Sequence, residues 1–244
     1  MSWEDEARNW IAWARTPGHD AYWDYSPAFF SLVPPAERAT LEIGCGEGRV
    51  ARDLSDRGHR VTAVDSSPTL LAAARAAEPA NEYVLADAAA LPFSAETFDL
   101  VVAYNSLMDI EDMPGAVREA ARVLRPDGRF CICVTHPLAD AGRFEDRAAD
   151  APFVVREYFG RRRFEETFER GGMRMTFRGW CYPLEDYSRA FEDAGLAVEA
   201  LREPRQRDGA VAADPAEARW QRVPVFLFLR LRRHVSSGSS STGS

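Results

Sequence analysis

The sequence contains no lysine; all 30 of its basic residues are arginine. With abundant alanine, that bias reads as the codon usage of a GC-rich bacterial genome and not as a physical requirement. Positive charge is scarce in any form: 38 acidic residues leave a formal net charge of −8. A chain this acidic lacks the basic footprint that nucleic-acid phosphates demand, and the run Arg161, Arg162 and Arg163 is only a local exception, so no nucleic acid is expected as a partner. Cysteine is sparse too. Cys45, Cys131, Cys133 and Cys181 form no Cys-x-x-Cys pair, and Cys131 and Cys133 stand two apart on a strand-like run, facing one side. That spacing suits core packing better than zinc or a disulfide, and no metal site is expected. The opening Met-Ser-Trp-Glu-Asp-Glu has neither the basic nor the apolar region of a signal peptide. The longest apolar run near the end, Val225 to Leu229, is far too short to cross a bilayer, so the expected setting is cytoplasmic, with no membrane partner. There are no internal repeats.

What is present organises itself around Thr40 to Asp65. Ala39 to Ile43 is apolar, branched and too brief for a helix, as a buried strand would be. Gly44, Gly46 and Gly48 follow on alternate positions, where glycine lets a ligand approach the main chain closely. Val50, Ala51 and Leu54 then fall at helical spacing, Gly58 stops that helix, and Arg60 to Val64 is a second strand ending on Asp65. Strand, glycine loop, helix, strand and terminal carboxylate make a mononucleotide-binding unit. A dinucleotide fingerprint would need its third glycine at position 49, where Arg49 stands. Glu42 lies two residues before the first glycine, where a pyrophosphate would repel it.

This Glu-x-Gly-x-Gly-x-Gly loop with Asp65 resembles the first motif of class I S-adenosylmethionine-dependent methyltransferases. Two further passages are similar to that family: Leu91-Pro92-Phe93 with Phe98-Asp99-Leu100, and Ala121 to Phe130 through Arg125-Pro126-Asp127-Gly128. The resemblance covers about residues 39–137. It implies an α/β fold, a doubly wound, mostly parallel seven-stranded sheet with helices on both faces and an antiparallel last hairpin. It also implies S-adenosyl-L-methionine as cofactor. The cofactor residues it points to are Glu42, Gly44, Cys45, Gly46 and Gly48 around the methionine half, Asp65 and Ser66 at the ribose, Asp87 and Ala88 at the adenine, and Asn105 at the end of the fourth strand.

Outside that core the reading rests on residues alone. Trp3, Trp10 and Trp13 share one helix face, and residues 1–38 are read either as plain packing or as a helical lid, with Arg15, His19, Tyr22 and Tyr25 touching the methionine carboxylate or the acceptor. Ser67 and Pro68 start a helix. A turn is expected at Arg125–Gly128 before a fifth strand, Phe130 to Thr135. Residues 138–183 are read as an insertion: a substrate cap, a homodimer contact, or a surface elaboration with no role. Within it, 138–151 is read as loop and Phe153 to Phe159 as strand. Arg163 to Gly179 is a β-hairpin about Gly171-Gly172, pairing Glu169 with Arg174, Thr167 with Thr176, Glu165 with Arg178 and Phe168 with Met175. Residues 184–235 complete the sheet through two strands joined by a long exposed connection, 202–222. The polar tail, 236–244, is expected to be disordered.

Methyl transfer to a hydroxyl or amine needs a place for the acceptor's proton. His136, at the ligand-binding edge, is the first candidate base; Asp109 and Tyr22 follow. Many relatives carry a histidine near Ser106 to Asp109, which this chain lacks. Aromatic and Met/Phe faces point to a small apolar or aromatic acceptor. His19, Tyr25 and His136 are its candidate contacts, and the methylated atom stays open. A nicotinamide-dependent oxidoreductase and a non-catalytic S-adenosylmethionine-binding protein are the alternatives.

Overall fold

The computed structural model describes residues 3–234, so the tail read as disordered lies outside the described residues. The chain begins with α1 (Trp3–Ala14), α2 (Tyr22–Phe30), β1 (Thr40–Ile43), α3 (Arg49–Ser55), β2 (Val61–Asp65), α4 (Pro68–Ala77) and β3 (Glu82–Leu85). β4 (Phe98–Tyr104) leads through a 3-10 turn, Leu107–Asp109, to α5 (Met113–Val123) and β5 (Leu124–Thr135). The insertion comprises α6 (Pro137–Ala141), β6 (Gly142–Phe144), β7 (Phe153–Val155), β8 (Arg162–Arg170) and β9 (Met173–Cys181). Then come α7 (Leu184–Asp193), β10 (Leu196–Arg202), α8 (Asp208–Ala213), a 3-10 helix at Pro215–Gln221, and β11 (Phe226–Arg233).

Seven strands form one sheet in the order β10-β11-β5-β4-β1-β2-β3, parallel except for β11, which is antiparallel to both its neighbours. Strand order reverses between β1 and β4, and in such sheets the ligand crevice opens at that switch point, outside the carboxyl ends. The alternation along β5 divides the core. Phe130, Ile132 and Val134 join α5 and α7 on one face, while Cys131 and Cys133 join α2, α3 and α4 on the other. The two cysteines thus pack, as their spacing indicated, and all four cysteines are free and buried. Ser67 caps α4, its hydroxyl accepting from the Leu70 amide at 3.1 Å.

Four expectations need correction. The Arg125–Gly128 passage does not break the chain: β5 runs through it, and its register against β4 jumps from Phe98–Leu124 to Leu100–Arg129. Pro126 cannot donate to a ladder, so the strand bulges at that point. Residues 138–151 are not all loop, because α6 and β6 lie there, and the strand expected to reach Phe159 stops at Val155. Nor is 202–222 a bare connection, since α8 and a 3-10 helix occupy it, the latter capped by Asp214 accepting from the Ala216 amide at 3.0 Å. The hairpin register matches residue for residue, turning through Gly171 and Gly172 at φ 58° and 77°. Among the described residues no helix is long and apolar enough to cross a membrane.

Candidate active site

The glycine loop is shaped by what lies against it. A Cβ on Gly44 would stand 2.4 Å from the Cβ of Ser106, and one on Gly48 would stand 2.8 Å from that of Ala74; both residues have positive φ. The loop is therefore pinned between the end of β4 and α4, with no room for a side chain. Gly46 faces the other way, toward the Trp10 indole, whose Nε1 would lie 3.1 Å from an added Cβ. Asp65 ties the loop to β2: one carboxylate oxygen accepts from the Gly46 amide at 2.8 Å and the other from the Ser67 amide at 2.9 Å. Burial still raises its pKa, against those amides.

Glu42 is 2% exposed, and one of its carboxylate oxygens is buried without a partner. Burial pushes its pKa well up; Asp65 and Glu47 add to the shift, while Arg52 and Arg49 oppose it. Glu47, also buried, is held by Arg15 of the α1–α2 segment and by Arg52, each at 2.8 Å. An unsatisfied carboxylate beside bare backbone fits the ammonium of an amino-acid ligand. The cradle thus suits S-adenosylmethionine, which Glu42, Gly44 to Gly48 and Asp65 would hold.

The remaining cofactor candidates lie along the same edge. Asn105 ends β4 at φ 49°, its amide donating to the Cys133 carbonyl at 2.8 Å. Ser66 and Asp87 are exposed, Asp87 accepting from the Ala89 amide at 2.9 Å, and Ala88 packs against the core. Cys45 is buried, which drives its thiol pKa well up.

Above this edge sit α1 and the β8–β9 hairpin. Trp10 and Trp13 both meet Phe177 edge-on at 6.0 Å, and Trp3 meets Trp10 at 5.7 Å. Glu4 is hydrogen-bonded to Ser67 and Thr69 at the start of α4, so α1 straps the hairpin to the cofactor edge. His19 holds the hairpin tip: its Nε2 lies 3.3 Å from the Arg170 carbonyl, and Arg170 donates back to the His19 carbonyl at 3.0 Å.

The three candidate bases occupy different surroundings. The His136 Nδ1 accepts from the Leu138 amide at 3.0 Å, capping α6, and its Nε2 faces Glu203 at 3.0 Å. Both ring nitrogens are engaged, and burial lowers the pKa against the pull of Glu203. Tyr22 turns its hydroxyl to Asp53 on α3 at 2.5 Å and its ring to Tyr104. Tyr25 is 2% exposed and packs edge-on against Phe226 at 5.1 Å. Asp109 differs: its carboxyl is pressed against β9, where a Cβ on Gly179 would stand 2.6 Å from Oδ1. Burial drives its pKa well up, with Asp65 and Asp140 adding to the shift.

Sequence reading passed over Asp140, on α6, whose pKa burial raises to about 7 against the pull of Arg162. It placed Trp3 and Trp10 in the helical lid but gave no site role to Gly179. The helical spacing of the tryptophans was the one available signal.

Sheet order, antiparallel β11 and the carboxylate-flanked loop are those of the class I S-adenosylmethionine-dependent methyltransferase fold. Residues 41–132 match the family described as methyltransferase domain, so the chain carries that domain. An S-adenosylmethionine-dependent methyltransferase structure from Mesorhizobium loti superposes with a TM-score of 0.70 at 25% identity, over 88% of this chain and 98% of that one. A glycopeptide N-methyltransferase complexed with S-adenosyl-L-homocysteine gives a TM-score of 0.61 at 19% identity, over 86% and 87%. A malonyl-[acyl-carrier protein] O-methyltransferase of Enterobacter lignolyticus is 41% identical over 172 residues, 69% of this chain and 65% of its own length. The chain thus spans just under two thirds of that relative.

Proposed function

We propose that the protein transfers the methyl group of S-adenosylmethionine to a small apolar or aromatic acceptor bearing a hydroxyl or amine, and that Asp109 receives the acceptor's proton. When bound, the cofactor supplies an electrophilic methyl group and a positive charge beside the cradle. The leaving group is already good, so the protein's share is orientation and proton removal. Trp3, Trp10 and Phe177 form an aromatic roof that excludes water from the edge. Asp109 sits below that roof, just after β4, with a carboxyl raised well above its ordinary range by burial. A positive charge nearby favours the ionised form, so the base is readied only when cofactor is loaded.

The observation that carries this reading is the packing of the Asp109 carboxyl against Gly179 of β9, 2.6 Å from where a Cβ there would stand, with Asp65 and Asp140 raising its pKa further. Such a setting repels an anionic acceptor and accepts a neutral or cationic one. A second reading follows from the Enterobacter relative, whose name gives malonyl-[acyl-carrier protein] as its substrate: an oxygen acceptor carried on a protein. The test is a screen of phenols, amines, carboxylic acids and malonyl-acyl-carrier protein for homocysteine release. Turnover with a phenol or amine, lost at least a hundredfold in Asp109→Asn with S-adenosylhomocysteine affinity retained, is the expected result. Turnover confined to carboxylic acids or the carrier protein would overturn it.

A further inference from the structure

Arg49 follows the glycine loop directly, as the first residue of α3. Its guanidinium lies over Tyr22, whose ring meets that of Tyr104 at the end of β4 at 5.2 Å, and over Trp10, whose indole faces Gly46, which places it at the carboxyl edge beside the cradle. The guanidinium carbon lies 4.2 Å from the centre of the Tyr22 ring and 4.9 Å from that of Trp10. Between these aromatics it meets one anion, Asp20 of the α1–α2 connection, with Nη1 2.6 Å from Oδ2. Both side chains are 14% exposed, so this is not a loose surface pair.

An amino-acid head group carries an ammonium and a carboxylate, and a site for it needs one charge of each sign. Glu42, with a buried carboxylate oxygen lacking a partner, supplies the anion. Arginine's planar fork is suited to a carboxylate. At this edge the fork is occupied by a carboxylate from the chain itself. We infer that Arg49 anchors the carboxylate of the cofactor's amino-acid half, and that Asp20 is a built-in stand-in which that carboxylate displaces. The inference rests on the cofactor reading above. Displacement would release the α1–α2 connection from Arg49, while His19 keeps it tied to the hairpin tip through Arg170. Loading of the cradle would then be felt in the cap.

The test is calorimetric titration with two probes, S-adenosylhomocysteine and 5′-methylthioadenosine, the second having the nucleoside and sulfur without the amino-acid group. The ratio of the two affinities cancels any general effect on lid or fold. Arg49→Gln should weaken S-adenosylhomocysteine at least tenfold and leave methylthioadenosine within twofold. Asp20→Asn should raise the affinity ratio in favour of S-adenosylhomocysteine at least threefold. Parallel losses for both probes in Arg49→Gln, or an unmoved ratio in Asp20→Asn, would reduce the pair to a structural clasp and overturn the inference. If Arg49→Gln does not melt cooperatively, the Asp20→Asn ratio decides alone. Wild-type protein that binds neither probe would overturn the cofactor reading itself, and this one with it.

Discussion

Between Ile43 and Asp65 the ligand edge is held mainly by main-chain groups, whereas from α1 to β9 the covering layer is held by side chains. In the cradle, Gly44 and Cys45 both donate to the Val64 carbonyl, and Asp65 accepts from two amides. In the cap, Phe177 gathers Trp10, Trp13 and Phe168, and ion pairs such as Arg178 with Glu6 and Glu165 rim the contact. Backbone geometry tolerates few sequences; an aromatic roof tolerates many. In the proposed function the cradle would therefore hold the cofactor, and the cap would be free to set the acceptor.

That contrast can be broken most forcefully in the loop. Gly44→Ala forces a Cβ into Ser106 at a positive φ, so S-adenosylhomocysteine binding should vanish and unfolding free energy fall by more than about 2 kcal/mol. Near-wild-type binding by this variant would show that the loop does not need its bare backbone. Phe177→Ala is the corresponding cut in the cap. It should cost about 2–3 kcal/mol, less than a fully buried phenylalanine would. Hydrogen exchange should rise in α1 and β9 with β1 to β5 still protected; uniform loosening of the sheet would contradict the separation of cap from cradle.

A smaller effect concerns pH. Asp140 has its pKa raised from 3.8 to about 7, so the folded chain holds this proton more tightly than the unfolded chain. Its favourable contribution is complete below the usual carboxylate range and is lost as pH climbs through about 7. Melting temperature should thus fall between about pH 4 and pH 7, and Asp140→Asn should flatten that slope. A slope unchanged in the variant would assign it to other groups. Smallest is His136→Ala, which removes the cap of α6 and should cost about 1 kcal/mol. Turnover should drop far less than in Asp109→Asn, and equal losses would return His136 to the role of base.

The same contrast explains what could be read from the chain. Loop, helix caps and hairpin were legible because each is set by local residues: alternate glycines, Ser67 before Pro68, and Gly171-Gly172 between strands whose charges and apolar groups pair across. α6, β6 and α8 were not legible, being three to six residues long and too short to show a period. They are held by distant partners, as Phe144 is by Phe153 and Trp220. The candidate bases divided in the same way. His136 has its chemistry visible in its residue type, yet its nitrogens are engaged by Leu138 and Glu203. Asp109 was legible as a candidate base, but its burial was not, since that comes from the fold bringing Gly179 against it. Titration behaviour is a property of surroundings, and surroundings of this kind are assembled from distant parts of the chain.

The most direct measurement is calorimetric titration of the full chain with S-adenosyl-L-homocysteine. Saturable 1:1 binding tighter than about 1 mM, worth more than ~4 kcal/mol, is expected, with Glu42→Gln weakening it. No heat at millimolar ligand from a protein that melts cooperatively would contradict the claim that the loop from Glu42 to Gly48, closed by Asp65, is a seat for an adenosyl amino acid.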